Sequence, residues 1–358
     1  MIDLVGHFGS HLSYATVADQ LAQGLDDCDA LGNIINLDDK CIGARWSNRV
    51  RRERGKKVIV VADAPYLMES LCSEYAQRDT SLFVCPNTNL MSEDRVEMCR
   101  SAGRIYTPSR WCSGAIVHGL EETDEIEVCV MPLGIDDPFA TEQRGPRDDH
   151  HKVRLLHLTT DTFWPGRKGT EELIEAWSIV RSMMSESHQH MSLTIHCLPG
   201  LYQTIYQTLG DAKLVGEIEV LPANGRGGDS RGLFDLIAQH DMLVAPSRSE
   251  GFGIMPLSAL ASGTPVVTTT GTGQDEYLSD MNGWLATPTM GQEELFGEHG
   301  LAPVVDVERL ALQLVAGMHL QHELTSAAAL NDTRQAEWSW QVRRETWAQS
   351  LINWEKEA

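Results

Sequence analysis

Short apolar runs alternate along this chain with stretches whose apolar residues recur at helical spacing. Ile2 to Val5 is apolar, a glycine-containing loop follows (GHFGSHLS), and helical periodicity runs from about Ser13 to Gly24. Asn33 to Leu37 reads as a second strand and Lys57 to Ala62 (KVIVVA) as a buried third. Tyr66 to Gln77 predicts a helix, Ser81 to Cys85 a strand, Arg104 to Pro108 a strand, Ser109 to His118 the start of a helix, and Glu127 to Met131 another strand. Thr141 to His151 (TEQRGPRDDHH) is polar, carries Gly and Pro, and has no periodicity, which marks a linker. The alternation then resumes. Arg154 to Thr159 opens a second series of strands, and Ser192 to Cys197 and Ile218 to Leu221 continue it. An amphipathic helix begins at about Thr170, with Thr170 expected to cap it and Glu171 and Glu172 in its first turn. Strands alternating with helices imply α/β domains with mostly parallel sheets.

The densest local signal is Pro246 to Val267, PSRSEGFGIMPLSALASGTPVV. It follows the apolar run Met242 to Ala245, a buried strand. Gly251 and Gly253 flank Phe252 just after Glu250, and glycines at that spacing let the backbone turn sharply and approach a ligand. Ile254 to Ser262 then carries helical spacing, Gly263 ends the helix, and Thr264 to Thr268 resumes as a strand. Such a turn sets backbone N–H groups at a helix N-terminus, which suits a phosphate. An ordinary strand–turn–helix unit is the plainer alternative. A second candidate loop ends in Arg167-Lys168-Gly169 at another helix start. A glycine-rich loop, Asn224 to Gly232, leads into a helix from Leu233 to His240; Asp306 to His319 and a last helix from Trp338 to about Trp354 complete the pattern.

Composition narrows the function class. With 358 residues the chain is long enough for two cores, and 42% apolar with 22% charged residues is ordinary for a soluble protein. A net charge of -22 makes broad nucleic-acid binding unlikely, because both partners would be anionic. The dense basic run Arg45 to Lys57 reads as a solvated face, or else as a local anion patch. No apolar run approaches the roughly 20 residues of a membrane span, and Met1 to Leu25 does not read as a signal peptide. The eight cysteines contain no CxxC pair, so no metal site is expected, and reduced thiols point to a cytoplasmic location.

The Pro246–Val267 stretch resembles the donor-sugar motif of the group-1, retaining glycosyltransferases of GT-B fold. Glu250, Gly251, Phe252, Gly253, Gly263, Pro265, Val266 and Val267 match; the family's second acidic position is Ser258 here. PSRWC at Pro108 to Cys112 and PLGID at Pro132 to Asp136 are similar to the end of that family's N-terminal domain. The resemblance implies an α/β fold of two doubly wound Rossmann-like domains facing a cleft. It would place an acceptor-side domain at 1–142, a nucleotide-sugar domain at 152–336 and a terminal helix at 337–358 crossing back to the first. It implies a nucleotide-sugar co-substrate, no other cofactor and no metal. Lys168 and Glu250 become the catalytic candidates, with Arg167, Gly251, Phe252, Gly253, Ile254, Ser258, Gly271 and Glu276 on the donor and His7, Ser10, His11 and Asn87 toward the acceptor. The arginine that the family carries six residues before its lysine is Thr162 here; Arg167, Arg226 or Arg231 stands in for it. An ammonium about 4 Å from the leaving diphosphate, at an effective dielectric of about 20, contributes on the order of 4 kcal/mol before desolvation.

The expected reaction is transfer of a sugar with retention. A sugar-phosphate phosphorylase or epimerase, and a catalytically weakened nucleotide- or sugar-binding protein, are the alternatives; Ser258 and Thr162 motivate the last. The pattern names neither donor base, acceptor nor oligomeric state.

Overall fold

The computed structural model describes the chain except residues 9–12, 38–52, 62–74, 87, 89, 122, 136–151, 160–165, 185–189, 224–229, 295–300, 332–335 and 358. Ser10, His11, Asn87, Thr162, Arg226, most of the basic run, most of the helix expected over 66–77 and nearly all of the expected linker lie outside the described residues. The chain divides into two compact units, Met1–Gly134 with Glu337–Ala358, and Ile135–Ala336.

The first unit opens with β1 (Ile2–Gly6), α1 (Ser13–Asp27), β2 (Leu31–Asn36) and β3 (Lys57–Val61). It continues through β4 (Thr80–Phe83), α2 (Glu93–Arg100), β5 (Arg104–Thr107), α3 (Arg110–Gly119) and β6 (Glu127–Val130). The strands form one parallel sheet in the order β2-β1-β3-β4-β5-β6. Strands β1 and β3 are buried along their whole length, which is why both read as unbroken apolar runs. Ser109 caps α3 by accepting a hydrogen bond from the Cys112 amide. The C-terminal helix, Trp340–Lys356, belongs to this unit and is capped by Ser339. Its Trp347 is 1% exposed, packs on Phe83 at 5.7 Å and on Trp340 at 5.6 Å, and donates its indole N–H to the Pro132 carbonyl. Burying one such ring removes about 200 Å² from water, on the order of 5 kcal/mol before entropy. The tryptophan-rich C-terminus is therefore a sheet cover.

The second unit runs through β7 (Val153–Thr159), α4 (Thr170–Met184), β8 (Met191–Cys197), α5 (Tyr202–Asp211), β9 (Ile218–Pro222) and α6 (Ser230–Ala238). Then come β10 (Met242–Ala245), α7 (Ile254–Ala261), β11 (Val266–Thr269), α8 (Asp275–Leu278) and β12 (Trp284–Thr287). The hairpin β13 (Thr289–Glu294) and β14 (Leu301–Val305) follows, then α9 (Val307–His319) and α10 (Gln321–Ala329). The main sheet is parallel, in the order β12-β11-β10-β7-β8-β9. From β7 the chain winds outward through β8 and β9, returns to the other side of β7 as β10, and winds out again through β11 and β12. Strands β7 and β10 thus flank a topological switch point, and the loops leaving their carboxyl ends bound a crevice. The core beneath is apolar and closed by Trp177, Leu193, Ile195, Val244, Val267 and Leu314.

Two local differences from the sequence reading have physical causes. Thr170 is the first residue of α4 rather than its cap: the Leu173 amide donates to Gly169, and the Thr170 hydroxyl lies 2.9 Å from His157 Nε2. The antiparallel β13–β14 pair has no counterpart in the sequence pattern, because TMGQEE lacks apolar alternation and LAPVV contains a proline.

Candidate functional site

The loop after β7 carries Arg167 and Lys168, and the loop after β10 carries Glu250 to Gly253. The switch point brings them together. The Arg248 amide donates to the Arg167 carbonyl at 2.9 Å, and Arg167 Nη1 donates back to the Ser249 carbonyl at 3.0 Å. Gly169, at φ +70, lies so close that a Cβ there would stand 2.0 Å from the Pro246 carbonyl oxygen. Only glycine lets α4 begin against the end of β10. The loop after β11 joins from the other side. The Gly273 amide donates to the Glu250 carbonyl at 2.7 Å, and Tyr277 donates its hydroxyl to the Gly253 carbonyl at 2.8 Å.

At the junction one carboxylate holds two cations. Glu250 Oε2 accepts from Lys168 Nζ at 2.7 Å and from Arg167 Nη1 at 3.0 Å. The three side chains are only 12–18% exposed, so their charges act through a medium that screens less than water. Burial alone would push the Glu250 carboxyl up. The Lys168 ammonium, then the Arg167 guanidinium, with the hydrogen bonds from both, override it and hold the carboxyl below the usual carboxylate range. With Glu250 ionised, these three side chains sum to one positive charge.

Gly253 sets the next element. Its backbone is left-handed (φ +83), and a Cβ would press within 2.9 Å of the Gln274 and Tyr277 side chains and 3.3 Å of Glu250. It stands at the N-cap of α7, and no side chain caps that helix. Pro256 in the first turn has no N–H, so Ile254 and Met255 carry the outward amides there. Gly253, at the head of that turn, stands against the Glu250 side chain that the Lys168 ammonium also holds. A helix N-terminus beside a net-positive triplet is an environment for a di-anionic group.

Beneath this surface lies His157, on β7 and fully buried, which the sequence reading did not single out. Its Nδ1 is 2.9 Å from the Val244 carbonyl and its Nε2 is 2.9 Å from the Thr170 hydroxyl. The carbonyl can only accept, so Nδ1 carries the proton and Nε2 accepts from Thr170. Burial pushes this imidazole down to about 4, the Val244 hydrogen bond opposes that, and the nearby Lys168 charge adds to it.

The remaining candidates are placed as follows. Phe252 is 2% exposed with its ring edge-on to Tyr277 at 5.5 Å, so anything it offers a ligand comes from its backbone. Ser258 is buried in α7, and its hydroxyl has no hydrogen-bond partner among the described residues. Gly271, at φ +86, donates its amide to the Asp275 carboxylate at 2.9 Å, and Glu276 sits half-buried in α8. His7 is half-buried just after β1, in the first unit. Besides His157, sequence reasoning passed over Arg248, Gln274 and Tyr277. Arg248 is buried, reaches Glu172 at 3.6 Å and Glu293 at 2.5 Å, and donates Nε–H to the Pro303 carbonyl at 3.2 Å. Gln274 accepts from the Thr268 hydroxyl at 2.5 Å. A signal did exist for these three, since each stands within a few residues of a glycine already singled out. Among the described residues no group of His, Cys, Asp or Glu is arranged to hold a metal, and no helix is long and apolar enough to cross a membrane.

The sequence profile described as "Glycosyl transferases group 1" matches residues 155–298, which hold every element of this junction. Lipopolysaccharide glucosyltransferase WaaG of Escherichia coli (strain K12) is 31% identical over 145 residues, a stretch that is 39% of this chain and 34%, about a third, of that protein's length. Among solved structures, sucrose-phosphate synthase from Thermosynechococcus elongatus superposes with a TM-score of 0.70 at 13% identity, covering 98% of both chains. Trehalose-6-phosphate synthase, solved in a study of glycosyl transfer with retention, superposes with a TM-score of 0.68 at 11% identity, covering 100% of this chain and 99% of that one. Identities that low bear on the fold alone. Residues 155–298 are thus similar in sequence to the group 1 glycosyltransferases, and the two parallel six-stranded sheets with flanking helices have the GT-B fold.

Proposed function

We propose that this protein transfers a sugar from a nucleotide-sugar donor to an acceptor hydroxyl, with retention and without a metal. One observation carries the reading: Lys168, Arg167 and the uncapped first turn of α7 meet around Glu250 at the switch point. In the proposed step the bond from the anomeric carbon to the diphosphate oxygen breaks. The acceptor oxygen bonds to that carbon on the same face, and its proton passes to the departing diphosphate. Negative charge grows on the diphosphate as it leaves, and Lys168, Arg167 and the amides of Ile254 and Met255 are placed to stabilise it, as a divalent cation would otherwise do. Glu250, ionised and tied to both cations, fixes their positions and can accept from donor-sugar hydroxyls with its remaining oxygen. Retention is supported by the motif itself and by the retaining neighbour. None of the six described cysteines forms a disulfide, which fits a reducing, cytoplasmic setting.

The test is a thermal-shift panel of nucleoside diphosphates and nucleotide sugars, followed by measurement of nucleotide release from any donor that binds. A ligand that binds only the folded chain raises its melting temperature. No shift with any member would sink the proposal. A second reading, a nucleotide- or sugar-binding protein that has lost turnover, is favoured by Ser258, a small hydroxyl enclosed in α7 where the resembling motif carries a carboxylate. Tight binding without release of nucleotide across all donors and acceptors would select it.

A further inference from the structure

Arg167 and Lys168 lie between two glycines of positive φ, Gly166 at +87 and Gly169 at +70. The Gly169 amide donates to the Gly166 carbonyl at 3.1 Å and closes a turn around the dipeptide, but that turn does not aim it, so its direction is set by contacts outside the turn. On its first side the Arg167–Arg248 and Arg167–Ser249 hydrogen bonds do this. On its second side the nearest fixed point is Thr170, whose hydroxyl is joined to His157. His157 is joined in turn to the Val244 carbonyl on the neighbouring strand. The register of β7 with β10 runs over Leu155↔Met242 and Leu156↔Leu243, and the imidazole takes over at the next position. It fastens the end of one strand to the first residue of the helix that follows the other.

We infer that His157 is a positioning residue: by bridging Val244 and Thr170 as a neutral imidazole, it holds the Lys168 ammonium where the donor's diphosphate must lie. This rests on the nucleotide-sugar reading above. The bridge needs a donor on one side and an acceptor on the other, both inside an apolar sheet, and a neutral imidazole supplies both. A protonated ring would place a second cation beneath Lys168. Glutamine can reproduce the pair, its amide N–H donating to Val244 and its oxygen accepting from Thr170. Leucine fills the volume and reproduces neither. Threonine-to-valine at 170 removes one hydroxyl and keeps the shape.

The readout is the ratio of dissociation constants for a nucleoside monophosphate and its diphosphate, measured by calorimetry on the whole chain with the uridine, guanosine and adenosine pairs. That ratio isolates the second phosphate. A role confined to folding lowers the melting temperature and leaves the ratio alone. His157→Leu is expected to cut the diphosphate preference roughly tenfold, Thr170→Val to cut it several-fold, and His157→Gln to restore most of it. Because both substitutions break one bridge, their effects combined should fall short of additive. An unchanged ratio in His157→Leu and Thr170→Val overturns the inference while leaving the donor site standing. If His157→Leu does not fold, the ratio in Thr170→Val decides alone. A wild-type chain that prefers no diphosphate over its monophosphate overturns the site reading and this inference together.

Discussion

Each unit contains buried cations facing carboxylates, and the two clusters are built to opposite proportions. In the second unit, at the carboxyl ends of the strands, Lys168 and Arg167 share the carboxylate of Glu250. In the first unit, at the amino ends of the strands, Lys57 and Arg104 are outnumbered. Arg104 pairs with Glu127 and with Glu357 at 2.9 Å, and Lys57 lies 4.0 Å from Asp79 with its ammonium 4.5 Å from the Trp354 ring. These groups line a cavity of about 600 Å³, yet the carboxylates within it leave no surplus positive charge. Two cations converging on one shared carboxylate beside a helix N-terminus, rather than burial or cavity size, mark a place for an anion. The first-unit cluster serves the fold instead. Trp354 and Glu357 lie at the end of the C-terminal helix, and the cluster ties that end to the sheet.

The sharpest way to test this contrast is Lys168→Ala. It brings the triplet to charge balance and removes the cation nearest Glu250. Turnover of the cognate donor should fall about 10²- to 10³-fold, the scale seen when one preorganised charge-stabilising group is removed. Nucleotide release in a coupled assay measures it. Turnover within threefold of wild type would erase the distinction between the two clusters.

Gly169→Ala attacks the same junction through the backbone. A left-handed alanine costs about 1–2 kcal/mol, and its Cβ would meet the Pro246 carbonyl oxygen at 2.0 Å, which forces the loops apart. We expect a loss of about 4 kcal/mol in chemical denaturation followed by tryptophan fluorescence. A loss under 1 kcal/mol would mean the loops are not fastened as described.

The ease with which this junction is read from sequence varies with the range of the interactions. Glu250-Gly251-Phe252-Gly253 and Arg167-Lys168-Gly169 are legible because turn, charge and helix start are neighbours in the chain. The parallel strands are legible because double burial makes them unbroken apolar runs. His157 is not, since a histidine inside VRLLHLT shows its purpose only when Val244, 87 residues away, is placed beside it. Arg248 stands near Gly251 in the chain, but its partners are hidden for the same reason, because they lie on α4 and on the β13–β14 hairpin. Ser258 shows the converse limit. A motif assigns it to the donor, and the fold adds only that its hydroxyl is enclosed without a partner among the described residues.

Buried histidine also gives the second unit a pH response. His157 titrates near 4 in the folded chain against about 6.5 when unfolded, because burial disfavours its charge, with the Lys168 ammonium the one charged neighbour acting on it. Between those values the unfolded chain binds the extra proton, so stability rises with pH across that window and is lost as pH falls from 6.5 toward 4. The full span is about 3 kcal/mol. Denaturation midpoints taken from pH 7 to pH 4.5 should therefore decline, and His157→Gln should flatten the decline. Equal slopes in both chains would place the titration elsewhere. Glu250 adds to the trend at its acid end: its lowered carboxyl contributes stability that is full above the ordinary carboxylate range and is lost as pH falls through its folded value.

The smallest expected effect belongs to the first-unit cluster and completes the contrast. Glu357 is 58% exposed, and Arg104 keeps Glu127 when Glu357 is neutralised. An exposed partner of this kind is screened by water and contributes about 0–1 kcal/mol. Glu357→Gln should shift the denaturation midpoint by no more than that, and the shift should shrink further in high salt. Glu250→Gln differs in that it neutralises a carboxylate on which two cations converge. A loss above about 2 kcal/mol in Glu357→Gln would show that removing one of several carboxylates matters as much as removing one that two cations share, and the contrast between a structural tie and an anion site would then fail.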